Sequence, residues 1–365
     1  LHASGIHFTN HYRSVVLTMQ EPSLEDTMPD NERLTWALED ALGVSNVKIP
    51  HTVMVRLAST LREENFHVCV KGRLEEDSFT CMEICGAEDT GIYGCAIDIG
   101  TTTVTMVMTD LTSGKILAKG SSGNGQIRYG ADVINRIIEQ GKPGGKKKLQ
   151  DAIIKETLTP IMAGLCKSAG LNPRSILRLC VGANTTMNHL FVGVDAQSVR
   201  MEPYIPSFFH WDGLLAGDLK LPANPLAPVL IAPNIGSYVG GDITAGTLAS
   251  GIWDKDEMSL FIDLGTNGEI VFGNRDFLMS CACSAGPAFE GGDISCGMRA
   301  TDGAIEACVI DKDTMEPSLS VIGDPGQKPV GLCGSGIIDV ISELYICGII
   351  NPKGKFVREG KRVRH

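Results

Sequence analysis

The chain has 365 residues, of which 43% are hydrophobic and 21% are charged, a balance typical of a globular protein with a buried core. At roughly 100–200 residues per domain, this length predicts two or three domains. The formal net charge of −11 argues against non-specific nucleic-acid binding, which needs a basic surface to displace counterions from phosphates. The longest apolar run, residues 337–350, is interrupted by Asp339 and Glu343, so no membrane span is predicted.

The twelve cysteines are expected to be reduced thiols of a cytoplasmic protein, because the chain is long and shows no signal peptide. The spacing Cys81-x₃-Cys85 matches no cluster signature, and we expect two linker thiols there. Cys281, Cys283 and Cys296 lack the companion pair that a zinc site requires.

The first 92 residues are predicted to form a small α+β domain. Its strands are expected at residues 13–19 and 66–70. Between them, Asp30 is expected to cap a helix with a leucine at every fourth position, and Gly43 to end it. The acidic stretch at residues 75–89 is predicted to be a loop or linker.

From Tyr93 the pattern changes to alternating strands and helices, and residues 93–258 are predicted to form a first α/β lobe. Its strands are expected at residues 95–99, 103–108, 116–119 and 176–181, and its helices at residues 131–140, 147–169 and 185–191. The short turn Gly100-Thr101-Thr102 joins the first two strands.

The opening hairpin of this lobe is repeated later in the chain. Residues 96–101 (AIDIGT) and residues 261–266 (FIDLGT) share the pattern apolar-Ile-Asp-apolar-Gly-Thr, each in a predicted strand–turn–strand. The aspartates of the two copies, Asp98 and Asp263, are 165 residues apart (263 − 98). We therefore predict a duplicated fold whose second lobe begins within residues 259–365.

An aspartate at a strand end followed by a Gly-Thr turn is typical of a phosphate-binding site. The turn offers backbone N–H groups and hydroxyls to phosphate oxygens, and the carboxylate can hold Mg²⁺ directly or through water. One such turn is weak evidence, because Gly-Thr turns are common, whereas two copies across a cleft would hold a polyphosphate from both sides. The alternative is two ordinary hairpin turns of a duplicated fold.

The two copies resemble the first and second phosphate motifs of the superfamily that contains acetate and sugar kinases, heat-shock chaperone ATPases and actin. Within that superfamily, four longer segments resemble the reductive activators of corrinoid proteins. They are residues 183–189, 238–246, 284–292 and 331–339. The fold class predicted is α/β, with duplicated actin-like, ribonuclease H-like ATPase lobes (ASKHA) preceded by a small α+β domain. The residues before Tyr93 resemble the linker and middle domain of that family.

The resemblance implies a homodimeric ATPase that uses ATP and Mg²⁺. Such an enzyme passes one electron to a corrinoid protein of a methyltransferase system, and ATP hydrolysis makes the uphill reduction of Co(II) to Co(I) feasible. It also implies a plant-type [2Fe-2S] cluster, whose signature C-x₄-C-x₂-C is absent from this sequence. The cluster domain is therefore expected upstream of Leu1, and the remainder of the second lobe after His365.

The resemblance also assigns roles to single residues. Asp98 and Asp263 would act through Mg²⁺, and Asp263 is suited to orienting an attacking water. Asp242 is either a further catalytic residue or a helix cap. The residues expected to bind the nucleotide are Gly100, Thr101, Thr102, Thr103, Gly265, Thr266, Asn267, Gly268, Gly334, Ser335 and Gly336.

Two other functions stay open on the same fold. A small-molecule kinase would need a carboxylate base beside a substrate pocket, and a non-catalytic interaction module would not need to keep both Asp-x-Gly-Thr turns. His189 is predicted to be a packed core histidine. Glu290, beside two glycines, marks either a functional loop or a structural bend.

Overall fold

The computed structural model describes residues 10–265, 267–283 and 294–357. Within these residues there are two structural units. The first contains residues 10–262 and 269–282, and the second contains residues 263–268 and those from 283 onward, as far as they are described.

The first unit begins with the predicted α+β domain. Its elements are β1 (Tyr12–Thr18), α1 (Asp30–Leu42), β2 (Asn46–Lys48), α2 (His51–Glu63), β3 (His67–Glu75) and β4 (Ser78–Gly86). The strands form one sheet in the order β1-β3-β4-β2, in which β3 is antiparallel to both of its neighbours and β2 is parallel to β4. Leu34 and Leu38 of α1 and Leu57 of α2 are buried with the sheet residues in one hydrophobic core.

Helix α1 lies where its leucine pattern predicts it. Gly43 ends the helix in the left-handed conformation, with φ at 67°, and its N–H donates to the carbonyl of Glu39. The prediction that Asp30 caps this helix was wrong, because the N-cap residue is Pro29 and Asp30 is the first helical residue. An acidic side chain in the first turn still interacts favourably with the helix dipole.

The prediction of a loop at residues 75–89 was wrong. Strand β4 lies there and pairs with β2 and β3, and its Phe79, Cys81 and Ile84 are buried. The acidic residues that suggested a loop cluster in the tight turn before β4, while Glu83 inside the strand is buried between two arginines. Cys85 lies opposite Cys69 of β3. All twelve cysteines fall in the described residues, and none of them forms a disulfide.

The next part of the first unit has ribonuclease H-like topology. Its elements are β5 (Tyr93–Ile99), β6 (Thr103–Asp110), β7 (Ile116–Gly123), α3 (Val133–Gln140), α4 (Gly145–Ile153), α5 (Thr159–Ala169), β8 (Ile176–Ala183), α6 (Thr185–Val192), α7 (Gln197–Arg200), β9 (Val229–Ile231) and α8 (Gly241–Ser250). The sheet order is β7-β6-β5-β8-β9. The strands β5, β6 and β7 form an antiparallel meander, and β8 and β9 continue the sheet in parallel.

The helix predicted at residues 147–169 is interrupted. A π-helical turn, Ile154–Leu158, separates α4 from α5. Pro160, at the start of α5, has no N–H to donate into the preceding turn, which accounts for the irregularity. The hydroxyl of Thr157 in this turn donates to the carbonyl of Ala152 at 2.8 Å and accepts from the N–H of Gly125 at 3.0 Å.

Buried polar bonds join the α+β domain to the lobe within the first unit. The fully buried Lys71 donates from Nζ to Asp89 at 2.6 Å and to the hydroxyl of Ser175 at 2.5 Å. Glu83, 1% exposed, accepts from Arg56 and from Arg174. Because a buried charge that loses its partner is costly, these contacts favour the arrangement of the two parts that keeps them intact.

The repeated strand–turn–strand forms a sheet of three strands in chain order, β10 (Ser259–Leu264), β11 (Gly268–Gly273) and β12 (Leu278–Cys283). In the first unit, Ile243 of α8 packs with Val239, Val271 and Phe261. Both strands of the predicted hairpin are present.

The second unit contains β13 (Ala304–Ile310), β14 (Pro317–Val321), β15 (Gly331–Leu332) and α9 (Gly334–Ile346). The sheet order is β14-β13-β15. Helix α9 binds β13 through carboxylates: Asp339 accepts from the N–H of Cys308, and Glu343 accepts from the N–H of Ile310. Across the described ranges, every helix is too short or too polar to span a bilayer.

Candidate phosphate-binding site

Asp98 lies near the end of β5, the central strand of the ribonuclease H-like sheet. Its neighbours Ile97 and Ile99 are buried, so the alternation of the strand leaves Asp98 on the opposite, exposed side. It pairs with Thr105 of β6 on one side and with Gly182 of β8 on the other. The position is the one that the Asp-x-Gly-Thr pattern predicts.

The turn after β5 depends on its glycine. A Cβ atom at Gly100 would lie 2.6 Å from the carbonyl oxygen of Thr103, closer than any real contact. Thr101 is buried, whereas Thr102 and Thr103 are exposed. The first phosphate motif therefore forms a tight turn with its last two threonines at the surface.

Buried donors hold three successive carbonyls of this turn. The side-chain amide of Asn124 donates to Gly100 O at 2.9 Å, Arg136 Nη2 donates to Thr101 O at 2.6 Å, and the N–H of Asn124 donates to Thr102 O at 2.8 Å. In a trans peptide, the C=O and N–H point in opposite directions. The N–H groups of Thr101 and Thr102 therefore point away from Asn124 and Arg136, as a phosphate-binding turn requires.

These supporting residues were not predicted from the sequence. Asn124, Gln126 and Arg136 are at most 2% exposed, and the sulfur of Met187 accepts from Asn124 at 3.8 Å and from Arg136 Nη1 at 3.2 Å. The sequence does contain a local indication that Arg136 is buried, because it lies on the same face of α3 as the buried Ile137 and Gln140. Its pairing with a turn 35 residues earlier has no such signal.

A second polar group reaches the turn from the end of β8. Asn184 is the N-cap of α6: its side-chain oxygen accepts from the N–H of Met187 at 2.9 Å, and its amide donates to the hydroxyl of Thr101 at 3.2 Å. The N-terminus of α8 also lies against Asn184, since a Cβ at Gly240, its N-cap residue, would lie 2.4 Å from Asn184 Cα. The segment at residues 183–189 thus contacts the phosphate turn directly.

Asp242 lies in the first turn of α8, after β9. The N-cap residue is Gly240, and one carboxylate oxygen of Asp242 accepts from the N–H of Ile243 at 2.9 Å. A Cβ at Gly182 would lie 3.8 Å from Asp242 Cα, and Gly182 is the register partner of Asp98. Since paired residues of parallel strands face the same side of a sheet, Asp98 and Asp242 lie on the same face.

The second motif lies in a tight turn of the second unit. Asp263 is half-buried near the end of β10, and the N–H of Gly265 donates to the carbonyl of Asn267 at 2.9 Å. Gly268 is buried, and its carbonyl accepts from the thiol of Cys283 at 3.1 Å. Thr266 lies outside the described residues.

The segment Gly334–Gly336 forms the first turn of α9. A Cβ at Gly336 would lie 2.0 Å from the carbonyl oxygen of Ile305, so this glycine is required where α9 crosses β13. Ser335 Oγ lies 3.2 Å from the sulfur of Cys333, the N-cap residue. Packing accounts for Gly336, and a nucleotide role of this turn stays a prediction.

His189 is a packed core residue, as its position on α6 suggests. Its Nδ1 donates to Thr185 O at 2.7 Å, its Nε2 accepts from the N–H of Ser207 at 3.0 Å, and its ring stacks on Phe208. Burial lowers the pKa of His189 below its ordinary value. Both ring nitrogens are occupied, so neither can ligate a metal. Glu290 and the segment 284–292 lie outside the described residues.

The first turn fits a polyphosphate with Mg²⁺. Mg²⁺ is usually bound by one or two carboxylates together with phosphate oxygens, and needs no cage of protein ligands. The described ranges contain no cluster of three or more His, Cys, Asp and Glu side chains arranged around a metal. Asp98 can supply a carboxylate ligand to such an ion, and the outward N–H groups of the neighbouring glycine turn can bind phosphate oxygens.

A ribonuclease H-like sheet with an Asp-x-Gly-Thr turn after its central strand, and a second copy of that hairpin, defines the actin-like ASKHA class. The chain matches three family models: the RACo linker region at residues 2–86, the RACo middle region at residues 93–255, and the C-terminal ASKHA domain of RACo at residues 257–365. The chain belongs to the reductive activators of corrinoid proteins, and the predicted fold class is confirmed.

Three relatives are informative. The chain is 38% identical over 296 residues to the corrinoid activation enzyme RamQ of Eubacterium limosum, covering 81% of this chain and 48% of RamQ. It is 30% identical over 153 residues to the [Co(II) methylated amine-specific corrinoid protein] reductase of Methanosarcina barkeri, covering 35% of this chain and 28% of the reductase. A solved reductive activator for a corrinoid, iron-sulfur protein is 40% identical, with a TM-score of 0.66, covering 97% of this chain and 56% of that structure. The chain thus spans about half the length of RamQ and of the solved activator, and its match to the reductase covers 28% of that protein.

Proposed function

We propose that this chain is the ATP-binding, energy-coupling part of an enzyme that activates a corrinoid protein by one-electron reduction of Co(II) to Co(I). The observation that carries the proposal is the Gly100–Thr102 turn, whose carbonyls are held by buried donors so that its N–H groups point outward beside Asp98. The names of the two sequence relatives, a corrinoid activation enzyme and a Co(II) corrinoid protein reductase, support the same substrate class.

Each residue of the phosphate turns has a proposed task. The N–H groups of Thr101 and Thr102 would bind phosphate oxygens, and Asn184 would hold the Thr101 hydroxyl in place. Asp98 and, by the resemblance to the family, Asp263 would each act through Mg²⁺, which supplies positive charge against the charge that develops on the transferred phosphoryl group. Asp263 would also orient the attacking water by accepting a hydrogen bond from it.

Several finer assignments belong to the same proposal. We propose the domain division at residues 1–92, 93–258 and 259–365, nucleotide contacts by Gly265–Gly268 and Gly334–Gly336, and a catalytic role for Asp242. We also propose a homodimer in the cytoplasm, a partner from a methyltransferase system and, in the full-length protein but not in this chain, a [2Fe-2S] cluster. These rest on the resemblance to the family.

The test is ATP hydrolysis by the full-length protein, with and without a Co(II) corrinoid protein. We expect the corrinoid protein to stimulate hydrolysis, and Asp98→Asn and Asp263→Ala to abolish the stimulated rate. Asp110→Asn is the matched control, because Asp110 caps the turn after β6, away from the Gly100 turn, and it should keep wild-type activity. Hydrolysis stimulated instead by a sugar or a carboxylic acid would refute the activator and favour a small-molecule kinase.

A further inference from the structure

Arg136 of α3 is buried directly beneath the Gly100–Thr102 turn. Its side chain is 0% exposed. Besides its bond to Thr101 O, Nε donates to Gly130 O at 2.9 Å, and Nη1 lies 3.4 Å from the side-chain oxygen of Gln126. All of these oxygen acceptors are neutral, so the guanidinium is satisfied by hydrogen bonds but its charge is not balanced by them.

The other buried cations of the described residues have anionic partners. Lys71 pairs with Asp89 at 2.6 Å, and Arg33 pairs with Asp26 at 2.7 Å. In the part of the chain that the structure describes, Arg136 forms no ion pair within 4.0 Å, although the carboxylate of Asp132 attracts its charge from a longer distance. Burial lowers the pKa of Arg136 to about 10, so the group remains charged at neutral pH.

An unpaired buried charge is costly to the fold. The peptide between Thr101 and Thr102 connects Arg136 to the opposite side of the turn, because its carbonyl accepts from the guanidinium and its N–H points the other way. A charged donor on the carbonyl polarises this peptide and strengthens its N–H as a donor. A polyphosphate on that side would therefore gain from both the charge and the polarised N–H.

We propose that Arg136 is a positioning residue that makes the Gly100–Thr102 turn a polyphosphate site by supplying a buried positive charge behind it. The ligand class is a nucleoside triphosphate, recognised here by its phosphates and not by its base. This inference rests on the proposed ATP-binding function of the same turn. A purely structural arginine would tie α3 to the turn without favouring anions.

Two substitutions of Arg136 separate charge from hydrogen bonding. Arg136→Gln keeps a donor and removes the charge, whereas Arg136→Lys keeps the charge with fewer donors. In full-length protein with Mg²⁺, we expect the glutamine variant to bind ATP about tenfold more weakly, and the lysine variant to stay within about threefold of wild type. Binding of adenosine, which carries no phosphate, should not change in either variant.

A second pair of variants leaves Arg136 in place and decides the question if the glutamine variant fails to fold. Gln126→Glu puts a carboxylate next to the guanidinium and balances its charge. Gln126→Met loses the same hydrogen bond to Leu149 O without adding a charge. We expect the glutamate variant to bind ATP about tenfold more weakly than the methionine variant.

Equal ATP affinity in the glutamate and methionine variants would overturn the role of Arg136. So would an equal loss of ATP and adenosine binding in Arg136→Gln, because that result marks a structural role. Wild-type protein that does not bind ATP would instead refute the proposed function of the turn itself, so the two failures are distinguishable.

Discussion

The side-chain amide of Asn184 donates to the hydroxyl of Thr101 at 3.2 Å, which ties the start of α6 to the turn after β5. The same side chain caps α6 through its oxygen, so Asn184 carries two tasks at once. These tasks can be separated by substitution, because the cap needs only an acceptor and the contact with Thr101 uses the amide donor.

Asn184→Ala removes both interactions, and we expect it to lower the free energy of unfolding by about 1 kcal/mol through loss of the cap. Asn184→Asp keeps the cap and favours the helix dipole, so its stability should match wild type. It places a negative charge beside the phosphate turn, and its ATP affinity should fall about tenfold. Calorimetric titration with ATP and thermal unfolding together check this. An aspartate variant that binds ATP like wild type would show that Asn184 does not face the phosphates.

Gly240 is required by the close approach of α8 to Asn184. A Cβ there would meet Asn184 Cα at 2.4 Å and the N–H nitrogen of Thr185 at 2.6 Å, and both contacts are with backbone. We expect Gly240→Ala to destabilise the protein by about 1–3 kcal/mol and to weaken ATP binding by shifting Asn184. Urea unfolding and ATP titration provide the two measurements.

Gly164→Ala is the control for Gly240→Ala. Gly164 lies inside α5, and a Cβ there has no neighbour within 4 Å. Alanine is the better helix former, so this variant should be more stable by about 0.5–1 kcal/mol and should bind ATP normally. If both alanine variants changed stability equally, the close approach at Gly240 would not be the reason for its glycine.

Much of the fold could be predicted from local patterns. The repeated Ile-Asp-apolar-Gly-Thr string located β5 and β10 with their turns, the strands predicted to return after each turn correspond to β6 and β11, and the strand predicted at residues 176–181 corresponds to β8. Strand β4 was missed because the acidic residues of the stretch 75–89 indicated a loop, whereas only Glu76 and Asp77 lie in the turn before the strand, and Glu83 within the strand is buried. A buried carboxylate is recognisable only from its arginine partners, which lie 27 and 91 residues away.

The support of the phosphate turn could not be predicted for the same reason. Arg136 and Asn124 donate hydrogen bonds to carbonyls 35 and 24 residues earlier in the chain. The periodicity of apolar residues predicts helices and strands but not pairings over such separations. The placement of Asp98 and Asp242 on one face follows from the parallel register of β5 and β8. The sequence pattern indicated which residues could bind phosphate or Mg²⁺, and the sheet topology determined which of them lie close together.

The buried carboxylate Glu83 offers a test of the contact between the α+β domain and the lobe. It accepts from Arg56 and Arg174, each of which is 38% exposed, and from the side-chain amide of Asn224 at 3.3 Å. We expect Glu83→Gln to lower the free energy of unfolding by about 3 kcal/mol, because both arginines lose their anionic partner. Chemical denaturation provides the measurement.

Glu156→Gln is the matched control for Glu83→Gln. Glu156 pairs with Arg128 at the surface, where both side chains are about half exposed. Solvent screens such pairs, and the change should stay within about 0.5 kcal/mol. A Glu83 variant as stable as this control would mean that the network between the domain and the lobe contributes no net stability.

His189 predicts a dependence of stability on pH. Burial holds the pKa of His189 below the ordinary value of 6.5, so the folded protein keeps the ring neutral where the unfolded chain would protonate it. Above pH 6.5 both states are neutral, and His189 contributes no slope. Below pH 6.5 the unfolded state binds an extra proton. The free energy of unfolding therefore decreases as the pH is lowered, by up to about 1.4 kcal/mol per pH unit.

His189→Asn should remove this part of the slope below pH 6.5, as measured by denaturation at pH 7.5, 6.5 and 5.5 in full-length protein. The variant is also expected to be less stable at pH 7.5, because the N–H of Ser207 loses its acceptor at Nε2. Leu190→Ala, a neighbour that is 1% exposed, controls for lost stability alone, since it costs about 2–5 kcal/mol and changes no titrating group. It should keep the wild-type slope. A His189 variant with that same slope would mean that the ring is protonated in the folded protein as readily as in the unfolded chain.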